Sequence, residues 1–259
     1  MQSTLLVQAA RLTIFPVLAT IVGTLVAVWR PPGTRTVAAI QHFAAGVVIA
    51  ALAGEVLPDL KEREDHKLVW TAVGFALGVA VMLVLGAWER RRSAAEKARA
   101  ASATGAAGTA EGPRSLPMGM LIAIGIDLVI DGMLVGLGVT LGSATGLIIT
   151  IALTIEVLFL GVSAALELLG EGFGRRTVIW VGVVLALLVG VGALGGVLLL
   201  GGAPATVQVA FLAFGAAALL FLAIEELIVE AHEVEEKAWM SAMLFAGFFI
   251  IWLLEALVD

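Results

Sequence analysis

The sequence predicts an all-α polytopic membrane protein built from eight transmembrane helices, and three observations carry that prediction. The chain is 61% hydrophobic and only 14% charged, whereas a soluble domain is usually about 45–50% apolar. Its apolar residues fall into eight runs, each close to the ~20 residues that cross a hydrocarbon core as a helix. None of the runs alternates in the ten-residue segments of a membrane β-barrel. Thirty glycines without a regular period suit close helix packing in lipid. The absence of cysteine excludes disulfides and thiolate metal ligands.

Taken in order, the first run covers 5–29. Arg11 gives it a weak basic start, but it is too long for a signal peptide and lacks a small-residue cleavage site, so a retained helix is expected. The second run, 37–57, stops at Pro58 and is followed by the charged stretch Asp59–Lys67. The third is 68–88; the segment 89–115, basic at its start and rich in Ala, Gly, Ser and Thr, reads as a flexible cytoplasmic loop. The fourth and fifth runs, 116–140 and 146–169, are joined by the tight turn Gly142–Gly146 and must be antiparallel neighbours. The last three are 178–200, 207–229 and 239–257. Eleven Lys and Arg fall on one set of connections and four (Arg11, Lys61, Arg63, Lys67) on the other. The positive-inside rule then places both termini outside an inner cell membrane. Three helices, a central pair and three helices form a 3+2+3 layout that fits an inverted repeat, a common transporter plan.

Six carboxylates, Glu55, Asp127, Asp131, Glu156, Glu225 and Glu226, stand out within or at the edges of these runs, and no Lys or Arg occupies the interior of the runs that carry them. A charge at the bilayer centre costs about 2.5–3.5 kcal/mol on insertion scales and marks a protein interior or a wet cavity. Without an internal cation, such acids are either protonated or gathered around a cation from outside. Asp127 and Asp131 are spaced i,i+4 and share one helix face. Asp127 lies about twelve residues into the fourth run and Glu156 about ten into the fifth. At 1.5 Å of rise per residue both reach the same depth near the midplane. Glu55 sits at the outer end of its helix, where it meets water as readily as a site. Glu225 and Glu226 are adjacent, about 100° apart on an α-helix, so one of the two is expected to face a pathway. Beyond them Glu230, His232, Glu233, Glu235 and Glu236 read as a solvated helix end. The histidines His42, His66 and His232 are far apart in sequence and form no H-E-x-x-H pattern. There is no P-loop, no G-x-S-x-G and no dinucleotide fingerprint, so neither an enzyme nor an autonomous ATP-driven pump is expected, and nucleic acid is not an expected partner.

The motifs around these acids resemble those of the ZIP (Zrt/Irt-like) family of divalent-metal transporters. Asp127–Gly132, D-L-V-I-D-G, matches the family's fourth-helix H-N-x-P-E-G, and Glu156–Gly161, E-V-L-F-L-G, its fifth-helix H-E-x-P-E/H-G. Ala223–Glu233, AIEELIVEAHE, is similar to the seventh-helix H-E-x-x-P-E with a following His, and Ala45–Pro58 to the second helix. The resemblance implies Asp127 at the first metal-binding position, Asp131 at that of the bridging glutamate, Glu156 at the fifth helix's histidine and Glu226 at the seventh helix's glutamate. Leu128, Ile130, Phe159 and Leu160 replace the family's asparagine, prolines and second fifth-helix ligand, which leaves donors for one site in place of two.

The expectation is therefore a ZIP-like transporter that moves a divalent cation by alternating access through a carboxylate-lined midplane site. The alternatives are a proton-linked carrier of an organic cation, or a non-transporting metal-sensing protein on the same fold. The metal is substrate, with Mn²⁺, Fe²⁺, Zn²⁺ or a similar ion in view. Oxygen-only donors favour Mn²⁺, Mg²⁺ or Ca²⁺ over Zn²⁺. Membrane lipid is the other expected partner, and the resemblance permits a homodimer.

Overall fold

The protein is described by a computed structural model that covers residues 2–62, 68–106, 116–232, 234, 235 and 237–258. Among them, eight helices are long and apolar enough to cross a membrane, and there is no strand. In chain order the elements are α1 (Gln2–Trp29), α2 (Thr34–Ala51), the π-helical segment π1 (Leu52–Val56), α3 (Leu57–Glu62), α4 (Leu68–Ala106), α5 (Met118–Leu141) and α6 (Ser143–Gly170). They continue with α7 (Arg175–Leu200), α8 (Ala205–Phe221), π2 (Leu222–Ile228), α9 (Val229–Ala231) and α10 (Ala238–Val258). The second span is α2 with π1 and α3, and the seventh is α8 with π2.

Helix breakers set the ends. Gly33, Pro117, Gly174 and Pro204 are the N-caps of α2, α5, α7 and α8. After α6 the chain closes in a Schellman motif. Phe173 N–H donates to Leu168 and Gly172 N–H to Leu169, with Gly172 at a φ of 86° that favours glycine. One expected boundary fails: α4 continues past Trp88 as far as Ala106, where a flexible loop over 89–115 was expected. The stretch from Glu89 is dominated by Ala, Arg, Glu and Lys, strong helix formers that need no tertiary support to extend an existing helix. Arg92 lies over the Trp88 ring at 4.9 Å, a cation–π contact on the extension. Residues 107–115 of the expected loop lie outside the described residues.

Four helix pairs make up most of the packing: α1 with α6, α5 with α7, α2 with α10, and α4 with α8. Lipid gives no hydrophobic drive between helices, so their surfaces must be shaped for contact. Each pair meets at glycine. A Cβ on Gly23 or Gly161 would overlap the opposing backbone in α1–α6, and on Gly46 or Gly247 in α2–α10. Gly74 and Gly78 do the same in α4–α8. In α5–α7 the motif is reciprocal: Gly132 and Gly136 face Gly192 and Gly196, two small-xxx-small stripes set into one another.

The pairing also has a symmetry. Exchanging spans 1, 2 and 3 with spans 6, 7 and 8, and span 4 with span 5, maps each of these pairs onto another (α1–α6 onto α5–α7, α2–α10 onto α4–α8). Each exchanged span runs in the opposite direction, the pattern that an inverted repeat generates. The two π segments are exchanged as well, and both begin Leu-Ala-x-Glu: Leu52–Glu55 and Leu222–Glu225. Near π1, Pro58 lacks the N–H that would close the turn onto Gly54, which relaxes the helix there. Such π turns are frequent at functional sites.

Candidate metal centre

α5 brings Asp127 and Asp131 to one face, one turn apart, and α6 brings Glu156 opposite them. The antiparallel approach is set at the turn, where Gly138 and Gly146 lie almost backbone to backbone. Gly132, directly after Asp131, admits α7 on its other side. One carboxylate oxygen from each acid lies within 4.8 Å of the others. All three residues are buried, Glu156 to within 1% of full burial. Asp131 Oδ2 and both oxygens of Glu156 have no hydrogen-bond partner. Buried polar atoms are nearly always paired, and an unpaired buried carboxylate is costly. Such a group is compatible with a bound metal ion.

Metal–oxygen bonds of about 2.1–2.6 Å place two ligand oxygens about 3–5 Å apart, so the spacing of the three acids fits a single hard cation. The donor set is oxygen only.

A cavity of about 190 Å³ leads to the group from one end of the molecule. Its outer wall includes the exposed residues Arg90, Glu167 and Glu225, and its inner wall Asp127 and Glu156. Glu226, Ser163, Phe159 and Leu160 line it in between. Glu156 also borders a void of about 10 Å³ among Val48, Ala51, Val56, Ile149, Ala152, Leu153 and Leu219. A volume of about 10–15 Å³ is the least that holds one water, and it needs polar partners. Leu134, Leu137, Leu212 and Leu200 continue that apolar packing. The acids therefore border a cavity on one side and, among the described residues, apolar packing on the other.

The remaining candidates fall as follows. Glu226 is half-buried, lines the cavity and is close enough to repel all three acids. Glu225 lines the cavity too. Both belong to the π2 segment. Glu55, half-buried in π1, is outside both the carboxylate group and this cavity.

Two features escaped the sequence reading. Glu255 is the lone acid inside the eighth apolar run and is buried, with its carboxylate against Gly54, where a Cβ would overlap it. The contrast of one acid in an apolar run was the signal that could have found it. His42 and His232, 190 positions apart, have ring centroids 5.4 Å apart, and nothing in the sequence marks that pairing. His66, Glu233 and Glu236 lie outside the described residues.

No protein-family model matches the chain, and no curated protein matches it.

Proposed function

We propose that the protein is a transporter of divalent metal cations, with Asp127, Asp131 and Glu156 as the substrate site. One observation carries the reading: three buried carboxylates within 4.8 Å of one another, several of their oxygens unpartnered, at the blind end of a one-sided cavity. A cation arriving through the cavity passes Arg90 and three carboxylates, Glu167, Glu225 and Glu226, before the buried group. The apolar seal beyond Glu156 blocks passage in this state. Opening the seal while closing the cavity delivers the ion to the other side, which is alternating access.

In this proposal the chain is a divergent relative of the ZIP family, in an inner cell membrane with both termini outside. The resemblance of Asp127–Gly132 and Glu156–Gly161 to the family's motifs supports it, and so does the exchange symmetry of the helix pairs. Oxygen-only donors favour Mn²⁺ and its harder neighbours over Zn²⁺.

Purified protein in liposomes tests the reading directly. Uptake of a panel of divalent cations should rank Mn²⁺ above Zn²⁺. Asp127→Ala and Glu156→Ala should each abolish uptake while the protein still elutes as a folded species. Uptake retained in both variants, or strong transport of Zn²⁺ with exclusion of Mn²⁺, overturns it. Metal binding without flux favours a metal-sensing role on the same fold.

A further inference from the structure

We infer that Arg90 sets the affinity of the acidic cavity for its substrate cation. Its guanidinium is a tethered counter-charge in the outer wall, which weakens the hold of the carboxylates on a dication and lets the ion leave again. The inference rests on the transport reading and names a residue that tunes that same site.

The placement follows from one face of α4. Met82, Leu85, Gly86 and Arg90 line the cavity, and their spacing of three and four residues puts them on the same side of the helix. Arg90, Arg91 and Arg92 are consecutive, about 100° apart on an α-helix, so they point three ways. Arg92 lies over the Trp88 ring, and its Cβ is what a Cβ on Gly119 of α5 would meet. Arg91 is exposed and lies outside the cavity wall. Arg90 alone of the three is in that wall. Long side chains on a helix lean toward the turn before them, and here that turn carries Gly86. Arg90 Nη1 is 3.4 Å and Cζ 3.9 Å from the point where Gly86 would carry a Cβ. The bare glycine leaves the guanidinium room to lie back along α4.

The opposing walls supply the charge that it offsets. Glu167 comes from α6 and Glu225 and Glu226 from π2, with Asp127 and Glu156 deeper in the cavity. Among the described residues Arg90 is the one cation in this lining. A pathway must bind its ion weakly enough to release it, and so many carboxylates around one cavity favour trapping. A guanidinium is a fixed positive charge and opposes that trapping. At about 8 Å in water, a unit charge repels a dication enough to change its affinity about sixfold, and salt screens the effect.

The test measures binding rather than flux. Protein in detergent at low ionic strength is titrated with Mn²⁺, and the free ion is counted from its electron paramagnetic resonance signal. Arg90→Gln should lower the Kd about sixfold, and a monovalent salt at about 0.15 M should shrink that gain to about twofold. Arg90→Lys keeps the charge and should leave the Kd close to that of the unaltered protein. Arg91→Gln removes a neighbouring charge outside the cavity and should do the same. Arg90 is exposed, so these substitutions leave the packing of α4 intact. An unchanged or raised Kd in Arg90→Gln, or an equal gain in Arg91→Gln, overturns the role of Arg90 while the carboxylate site stands. Failure of the transport reading looks different. The unaltered protein then binds no Mn²⁺, or binds it undiminished when Asp131→Asn and Glu156→Gln are combined, and either result overturns the site and the role of Arg90 with it.

Discussion

Asp131 concentrates the electrostatic problem of the molecule. It is 2% exposed, one turn deeper than Asp127, and its Oδ2 is unpartnered. Asn has the same shape and cannot bind a dication as a charged ligand. Asp131→Asn should leave the metal-free protein at least as stable, because removing uncompensated buried charge relieves a cost. The bound state should suffer instead. A ligand at a hundred times its Kd stabilises a protein by about 2.7 kcal/mol, so saturating Mn²⁺ should raise the Tm of the unaltered protein and leave that of Asp131→Asn nearly unmoved. Thermal unfolding in detergent, with and without metal, reads both effects, and an equal metal-induced rise in the variant would remove Asp131 from the site. These acids were legible in the sequence because a carboxylate in an apolar run has strong contrast, and the i,i+4 spacing and matched depth are arithmetic on the chain. Glu255 had the same contrast, although it lies near the end of the last run. The His42–His232 pair was illegible for a different reason. Tertiary packing alone joins positions so distant, and imidazole near a helix end is chemically unremarkable until its neighbour is known.

At the scale of the helices, glycine decides which surfaces meet. Gly132 and Gly192 illustrate this from both sides: a Cβ on Gly132 would overlap the Val189 carbonyl and one on Gly192 the Val129 carbonyl. Backbone cannot rotate away as a side chain can. Gly132→Val or Gly192→Val should therefore force α5 and α7 apart and cost about 1–3 kcal/mol or more, as overpacking does. Gly190, on the same helix as Gly192, has nothing within 4 Å of such a Cβ. Gly190→Ala should then be neutral or stabilising by up to about 1 kcal/mol through helix propensity. Comparing the three variants by thermal unfolding checks the claim, and equal effects at positions 190 and 192 would sink it. The sequence suggested close packing from glycine abundance but not which glycines pair, since a run that is hydrophobic all round carries no directional signal. The π segments were hidden too: Leu-Ala-x-Glu occurs twice, yet four residues are too few to stand out as a repeat. The extension of α4 to Ala106 was misread because small residues such as Ala and Ser serve linkers and helices alike.

For the whole molecule the central fact is asymmetry of access in a framework of symmetric pairing. The exchange of spans 1–3 with 6–8 relates helix pairs that are alike in their contacts, yet the cavity lies toward one end and the apolar seal toward the other. In the proposed transport cycle, equivalent halves support two states in which these roles are swapped, and the ion crosses by passing between them. The chain has no cysteine, so a single introduced thiol reports accessibility without background. Ser163→Cys places one in the cavity and Ala152→Cys one in the seal. In membrane vesicles of defined orientation, a water-soluble, membrane-impermeant thiol reagent should modify position 163 from one side only. Position 152 should resist it from that side in every condition. If the protein alternates, conditions that favour the second state should make position 152 reactive from the opposite side and protect position 163, the two rates changing in opposite directions. A cavity that stays open at 163 while 152 becomes reactive would describe a channel, and a seal that never yields would describe a binding protein; either result rules out alternating access.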